Sequence, residues 1–126
     1  MMHEELVISE YRWLVDVFFG VTEDDADEVM ECLHDMGVSG KAARSAYRNL
    51  LSGEFNTGLT FSKGRRSCIV IGKTTERAEF AHTFTHEIFH CAVHIASANR
   101  LPLTGEAVAY IAGDLSAEMY RMLDAN

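Results

Sequence analysis

The residues best suited to chemistry lie in segment 86–90, which reads His86-Glu87-Ile88-Phe89-His90. On an α-helix, residues four apart lie one turn along the same face, so His86 and His90 can direct two imidazole nitrogens at one point. Two such nitrogens supply half of a tetrahedral zinc site. Glu87 lies about 100° around the helix from His86 and about 60° from His90, so its carboxylate borders the metal without being required as a ligand. This arrangement is typical of a general base that acts on a zinc-bound water.

The surrounding residues predict that this segment is helical. Thr75 is a suitable N-cap, and the helix is expected to begin near Glu76. An apolar stripe at helical spacing lies opposite the two histidines and predicts a packed face, formed by Phe80, Phe84, Ile88 and Ile95. One face of the helix is therefore expected to pack and the other to hold a metal. The competing interpretation is a helix whose histidines are merely solvated or cover the core.

Two further histidines continue the four-residue spacing, since His82 precedes and His94 follows the pair. Each step of four residues drifts by about 40° around the helix, so His82 and His94 point about 120° apart and cannot all be ligands of one ion. His94 lies about 40° from His90. It is therefore expected to support a ligand or to line a cleft.

A carboxylate further along the chain is the candidate third ligand. Residues 99–103 contain Pro102 and interrupt the helix, and Thr104 is a suitable N-cap for a last helix that runs to about Leu123. Glu106 falls in the first turn of that helix. If the motif helix ends near Ala98, it has risen about 12 Å past His90, and about seven extended residues can return about 23 Å. Glu106 can therefore reach the histidines and complete a His₂Glu set, with water in the fourth position.

The pattern His86-Glu87-x-x-His90 followed by Gly105-Glu106-Ala107 resembles the gluzincin zinc peptidases, in particular very small gluzincins and predicted zinc peptidases of phage and prophage regions. The resemblance covers residues 67–115. It implies a zincin-like fold, with His86, His90 and Glu106 as Zn²⁺ ligands and Glu87 as general base and acid. It also implies an edge strand that binds the substrate by strand addition, for which 67–71 is the candidate.

Two residues of the last helix extend this hypothesis. Tyr110 lies one turn beyond Glu106 on the same face and is the candidate for stabilising the oxyanion, with His94 and Tyr120 as weaker alternatives. Core packing is an equally good interpretation of Tyr110. Asp114 lies two turns beyond Glu106, where it either supports a ligand histidine or is simply solvated.

Composition narrows the functional classes. The 126 residues fit one domain, 1–126, and the net charge of −8 argues against nucleic acid and anionic membranes as partners. No apolar run approaches the length of a membrane span, and acidic residues near the N-terminus disfavour a signal peptide. Cys32, Cys68 and Cys91 are widely spaced and are predicted to be buried thiols, and not a disulfide framework or a thiolate metal site. We expect a cytoplasmic protein with a peptide or protein substrate.

The remaining segments predict an α+β fold, with a small mixed or antiparallel sheet packed on about four helices. Residues 6–19 alternate and indicate one strand, although a helical period also fits. Thr22 is expected to cap a helix that stops at Gly37, and Ser39 a second helix that ends before Gly53. Residues 55–73 predict a β-hairpin with strands at 59–61 and 67–71.

Three functional hypotheses follow from the sequence. The first is a zinc-dependent peptidase. The second is a zinc site without turnover, used as a structural or interaction module, because a chain of this size has little room for a deep substrate cleft. The third is a metal-free interaction protein, such as a phage-associated one, in which the motif is coincidental or decayed.

Overall fold

The computed structural model describes residues 1–52 and 58–126. It is an α+β structure with four helices and a four-stranded mixed sheet. The strands are β1 (Met2–Ile8), β2 (Trp13–Val21), β3 (Gly58–Lys63) and β4 (Arg66–Gly72). The helices are α1 (Ala26–Asp35), α2 (Gly40–Leu51), α3 (Arg77–Ala98) and α4 (Glu106–Ala125).

The strands lie in the order β1-β2-β4-β3. The two hairpins, β1–β2 and β3–β4, are antiparallel, and β2 and β4 join them in parallel. Ile69 of β4 lies between Val17 of β2 and Thr60 of β3. The prediction that the sheet contains 59–61 and 67–71 is confirmed; residues 55–57 of the expected hairpin lie outside the described part of the chain.

The single strand predicted for 6–19 is wrong, because the chain reverses within it. A short 3₁₀ turn, Ser9–Tyr11, ends in Arg12 with φ 52°, and the Arg12 N–H donates to the Ser9 carbonyl at 3.1 Å. Two antiparallel strands therefore replace one. The alternation from Trp13 to Val17 holds within β2, whereas Tyr11 belongs to the turn.

The expectation that 67–71 is an edge strand is also wrong. β4 is paired on both sides, by β2 and by β3, so the edges of the sheet are β1 and β3. Every residue from Ser67 to Ile71 is buried. A continuous apolar run of this kind is typical of an interior strand that is covered on both faces.

Each face of the sheet carries its own core. Val15, Val17, Ile69 and Ile71 pack with α3 and α4, whereas the alternate residues of the same strands, Phe18, Cys68 and Val70 among them, pack with α1 and α2. The stripe predicted for α3 lies in the first core: Phe84, Ile88 and Ile95 are buried and Phe80 is partly buried. α3 is thereby fixed to the sheet along one side, and His86 and His90 are exposed on the other.

The helix boundaries differ slightly from the predicted ones. α3 begins at Arg77 with Glu76 at the N-cap position, and not Thr75. α4 follows Gly105, whose φ of 96° favours glycine, and not a Thr104 cap. Leu51, the last residue of α2, is exposed, and the predicted stop at Gly53 lies outside the described residues.

Cys32, Cys68 and Cys91 are buried free thiols, as predicted. Among the helices of residues 1–52 and 58–126, none has both the length and the apolar character that a bilayer crossing requires.

Candidate functional site

His86 and His90 come together on the exposed face of α3. Their Nε2 atoms are 3.1 Å apart and their rings meet edge to face, with centroids 4.7 Å apart. Both side chains are exposed, so an ion can approach them from solvent. Two ligand atoms at about 2.1 Å from a tetrahedral ion lie about 3.4 Å apart, so the pair occupies two neighbouring positions of such a site with little adjustment.

Glu87 projects toward β3 and is only 5% exposed. The Thr60 hydroxyl lies 2.8 Å from Oε1 of Glu87 and 3.2 Å from its backbone carbonyl, and it donates to this pair of acceptors. One carboxylate oxygen is thus held by the edge strand. This bond fixes the rotamer of the Glu87 side chain.

Gly58 allows the edge strand to approach α3 this closely. A Cβ at this position would lie 2.8 Å from Cγ of Glu87, from Cγ2 of Thr83 and from the Val70 carbonyl oxygen. The last of these atoms belongs to the backbone of β4, which cannot move without disturbing the sheet. The contact between β3 and Glu87 therefore depends on a glycine here.

A chain of hydrogen bonds leads from the core to His94. Trp13 Nε1 donates to Ser67 Oγ at 2.8 Å, Ser67 Oγ and Ser62 Oγ are 2.7 Å apart, and Ser62 Oγ is 2.6 Å from Nδ1 of His94. Either serine can be the donor in the Ser67–Ser62 bond, so this chain is compatible with both neutral tautomers of His94. Burial and the nearby His90 lower the pKa of His94, which favours the neutral imidazole.

Glu106 is not brought to the histidine pair. It is exposed at the start of α4. Within the described residues, one trio of His, Cys, Asp or Glu side chains has all its ligand atoms within 4.8 Å of one another, and Glu106 is not part of that trio. The rings of Phe84 and Tyr120 are in contact, with centroids 4.9 Å apart, which sets the register of α4 against α3. From this register Glu106 lies about 12 Å beyond His90 along α3. The connection 99–105 does not make the expected return.

The other two residues of α4 lie on its exposed surface. Tyr110 is 69% exposed, so the core-packing interpretation is wrong. Asp114 lines a shallow cleft against β1 with Ile8 and Glu10, and there it does not support a ligand histidine.

Several residues of the site carry no signal in the sequence. Thr60, Ser62 and Gly58 lie in β3, more than 20 residues from the motif, and only the tertiary structure brings them to Glu87 and His94. The trio mentioned above, His3, Asp16 and Cys32, was likewise missed. Its three residues come from two strands and a helix, and such a combination has no characteristic spacing in the sequence.

Comparison with known proteins gives no match: no protein family, no curated protein and no solved structure is significantly similar to this chain. The resemblance to gluzincins therefore rests on residues 86–90 and 105–107 alone.

Proposed function

We propose that this protein is a zinc-dependent peptidase of the gluzincin type, in which His86 and His90 hold the metal and Glu87 is the general base. The observation that carries the proposal is the 3.1 Å separation of the two Nε2 atoms on an exposed helix face. A bound Zn²⁺ would supply an acidified water and a Lewis acid for a peptide carbonyl. The chain itself must hold the proton, orient the substrate and stabilise developing charge.

Glu87 is suited to the proton transfers. Thr60 holds Oε1, so the other carboxylate oxygen is the one that takes a proton from the water and returns it to the leaving amine.

The substrate is proposed to be a peptide in extended form, bound along the outer edge of β3. This strand lies at the edge of the sheet and its residues Thr60 and Ser62 contact the motif helix through Glu87 and His94. A peptide added here would run past the catalytic carboxylate. His94, in the tautomer that carries its proton on Nε2, is the donor proposed for the oxyanion.

Glu106 remains the proposed third ligand, but it must move to serve. Tyr110 lies one turn from it on the same side of α4, so a shift that carries Glu106 to the histidines carries Tyr110 with it. If Glu106 is a ligand, Glu106→Gln weakens zinc binding by at least about tenfold. Even the loss of a residue that only hydrogen-bonds to a metal ligand weakens metal binding by about that factor. Unchanged affinity would show that the third position is filled by another group.

The second candidate function is a zinc-binding module without turnover. It is favoured by the same bond between Thr60 and Glu87, because a buried, hydrogen-bonded carboxylate is also what a purely structural residue shows. The free cysteines fit a reducing compartment, and for either function we propose the cytoplasm.

The two functions are separated by Glu87→Gln, with zinc content measured alongside peptide hydrolysis. A peptidase loses activity by about a thousandfold while keeping its zinc, because the base acts in several steps. Glu79→Gln, the same change at a half-buried glutamate in the first turn of α3, is the matched control and should retain full activity. A structural zinc site instead predicts that Glu87→Gln has no measurable effect and that His86→Ala destabilises the fold. Equal hydrolysis by the wild type and Glu87→Gln would refute the catalytic role.

A further inference from the structure

A second group of potential ligands lies on the opposite face of the sheet from α3. His3 extends from β1, Asp16 from β2 and Cys32 from α1. The ring of His3 stacks on Phe18 with centroids 4.0 Å apart and planes 12° from parallel, which fixes its orientation. Three elements thus place one nitrogen, one oxygen and one sulfur around a common point.

The distances within the group suit a single ion. His3 Nε2 lies 3.0 Å from Oδ1 of Asp16, and the three ligand atoms all lie within 4.8 Å of one another. Ligands of a tetrahedral ion at about 2.0 to 2.3 Å are separated by about 3.3 to 3.8 Å, so only small side-chain shifts are needed. Asp16 is 1% exposed, and its position is therefore set by the fold.

Arg66 orients Asp16 without occupying the whole carboxylate. Its guanidinium donates to Oδ2 at 3.0 Å, and this leaves Oδ1 facing His3. The guanidinium also lies 3.8 Å from Sγ of Cys32. The cleft around the trio is nevertheless negative overall, because four further acidic residues line it: Glu5, Glu28, Glu31 and Asp35. The surplus of negative charge favours a cation.

The sulfur of Cys32 is available to a metal ion, because this cysteine is not part of a disulfide. A metal ion binds cysteine as the thiolate.

We propose that His3, Asp16 and Cys32 form a binding site for a borderline-soft divalent cation of the Zn²⁺ class, with water in the fourth position. A mixed nitrogen, oxygen and sulfur donor set selects such ions over Mg²⁺ or Ca²⁺, which prefer oxygen alone. The site is independent of the histidine pair, since it shares no ligand with it and lies across the sheet.

The sulfur ligand allows the two sites to be told apart. Co²⁺ bound to a thiolate gives an intense near-ultraviolet charge-transfer band, whereas Co²⁺ on His86 and His90 does not. Titration of the whole protein with Co²⁺ should produce this band in the wild type and in the His86→Ala/His90→Ala double variant. Cys32→Ser should remove it. Cys91→Ser, at a buried thiol on the other face of the sheet, is the matched control and should keep it.

His3→Ala provides a second check, because it removes the nitrogen ligand from the exposed side of the cluster. It should weaken Co²⁺ binding at this site by at least about tenfold, with the far-ultraviolet circular dichroism unchanged. Absence of the band in the wild type would overturn the proposal, as would a band that survives Cys32→Ser. Either result leaves zinc binding by the histidine pair untouched.

Discussion

The two candidate metal sites differ in how their donors are assembled. His86 and His90 belong to one helix, four residues apart, and both are exposed. His3, Asp16 and Cys32 come from three elements and enclose a carboxylate that is almost completely buried. The first site can be recognised from spacing alone but has only two donors in place. The second has three donors in place and no sequence signature.

This difference has energetic consequences. The donors on α3 face solvent, so the fold does not depend on them, and changes there should affect function and leave stability nearly unaltered. Asp16 is paired with both His3 and Arg66, so its cluster is part of what holds β1, β2 and β4 together. The predictions below test this division between a functional and a structural region.

The largest effect on stability is expected at Asp16. Asp16→Ala removes the common hydrogen-bond acceptor of His3 and Arg66 and should lower the free energy of unfolding by about 2 to 3 kcal/mol, less than for a fully buried pair because Arg66 and His3 are partly exposed. Glu106→Ala, at an exposed acid of the other region, should change it by less than about 0.5 kcal/mol. Urea denaturation measures both. Similar losses of unfolding free energy in Asp16→Ala and Glu106→Ala would contradict the proposed difference between the two regions.

The next effect concerns the contact of β3 with Glu87. Gly58→Ala places a Cβ against the Val70 carbonyl, Thr83 and Glu87 and should cost about 1 to 2 kcal/mol, because the strand must move away from α3. Gly113→Ala in α4 is the control, since its Cβ meets nothing within 4 Å, and it should stabilise the protein by up to about 1 kcal/mol.

Stability and hydrolysis should be measured together for this pair. If Thr60 positions the base, Gly58→Ala also reduces peptide hydrolysis at temperatures where the variant remains folded. Full activity in a destabilised Gly58→Ala would show that catalysis does not need the contact.

The smallest effect concerns Cys91 at alkaline pH. Burial raises the pKa of Cys91 to about 11, against an ordinary value of 9.0, although a hydrogen bond from Ser67 partly opposes the shift. The raised folded-state pKa means that stability present below pH 9 is lost as the pH rises toward 11, by about 1 kcal/mol at pH 10. Cys91→Ala should remove this component of the alkaline loss.

Ser97→Ala, at an exposed position of the same helix, is the control, because it removes no titrating group. The measurement is the free energy of unfolding between pH 8 and 10.5, each variant compared with the wild type so that other titrating groups cancel. Parallel curves for Cys91→Ala and the wild type would contradict the prediction.

Much of the fold follows from local patterns in the sequence. The apolar period of α3, the hairpin β3–β4 and the α+β class were predictable because each depends on residues within one or two turns or one hairpin. The reversal at Ser9–Arg12 was not, since it uses a left-handed arginine and no glycine. The interior position of β4 depends on its pairing with β2, some 50 residues away, which no local pattern encodes.

The candidate site shows the same division. The spacing of His86, Glu87 and His90 predicts a converging pair, because a helix fixes their relative positions. The path of residues 99–105 is set by how α4 packs on α3 and β1, so chain length could establish only that Glu106 was able to reach the histidines. The partners of Glu87 and His94 come from β3 and became visible only in the folded chain.

The most direct test of the account is an anomalous difference map, recorded at the zinc edge, of crystals of the zinc-loaded protein. The proposed function predicts a peak about 2.1 Å from Nε2 of both His86 and His90, with Glu87 beside it and bonded to Thr60. A second peak among His3, Asp16 and Cys32 would bear on the further site alone. A fully loaded crystal with no peak at the histidine pair would contradict the central claim that these two residues hold a metal.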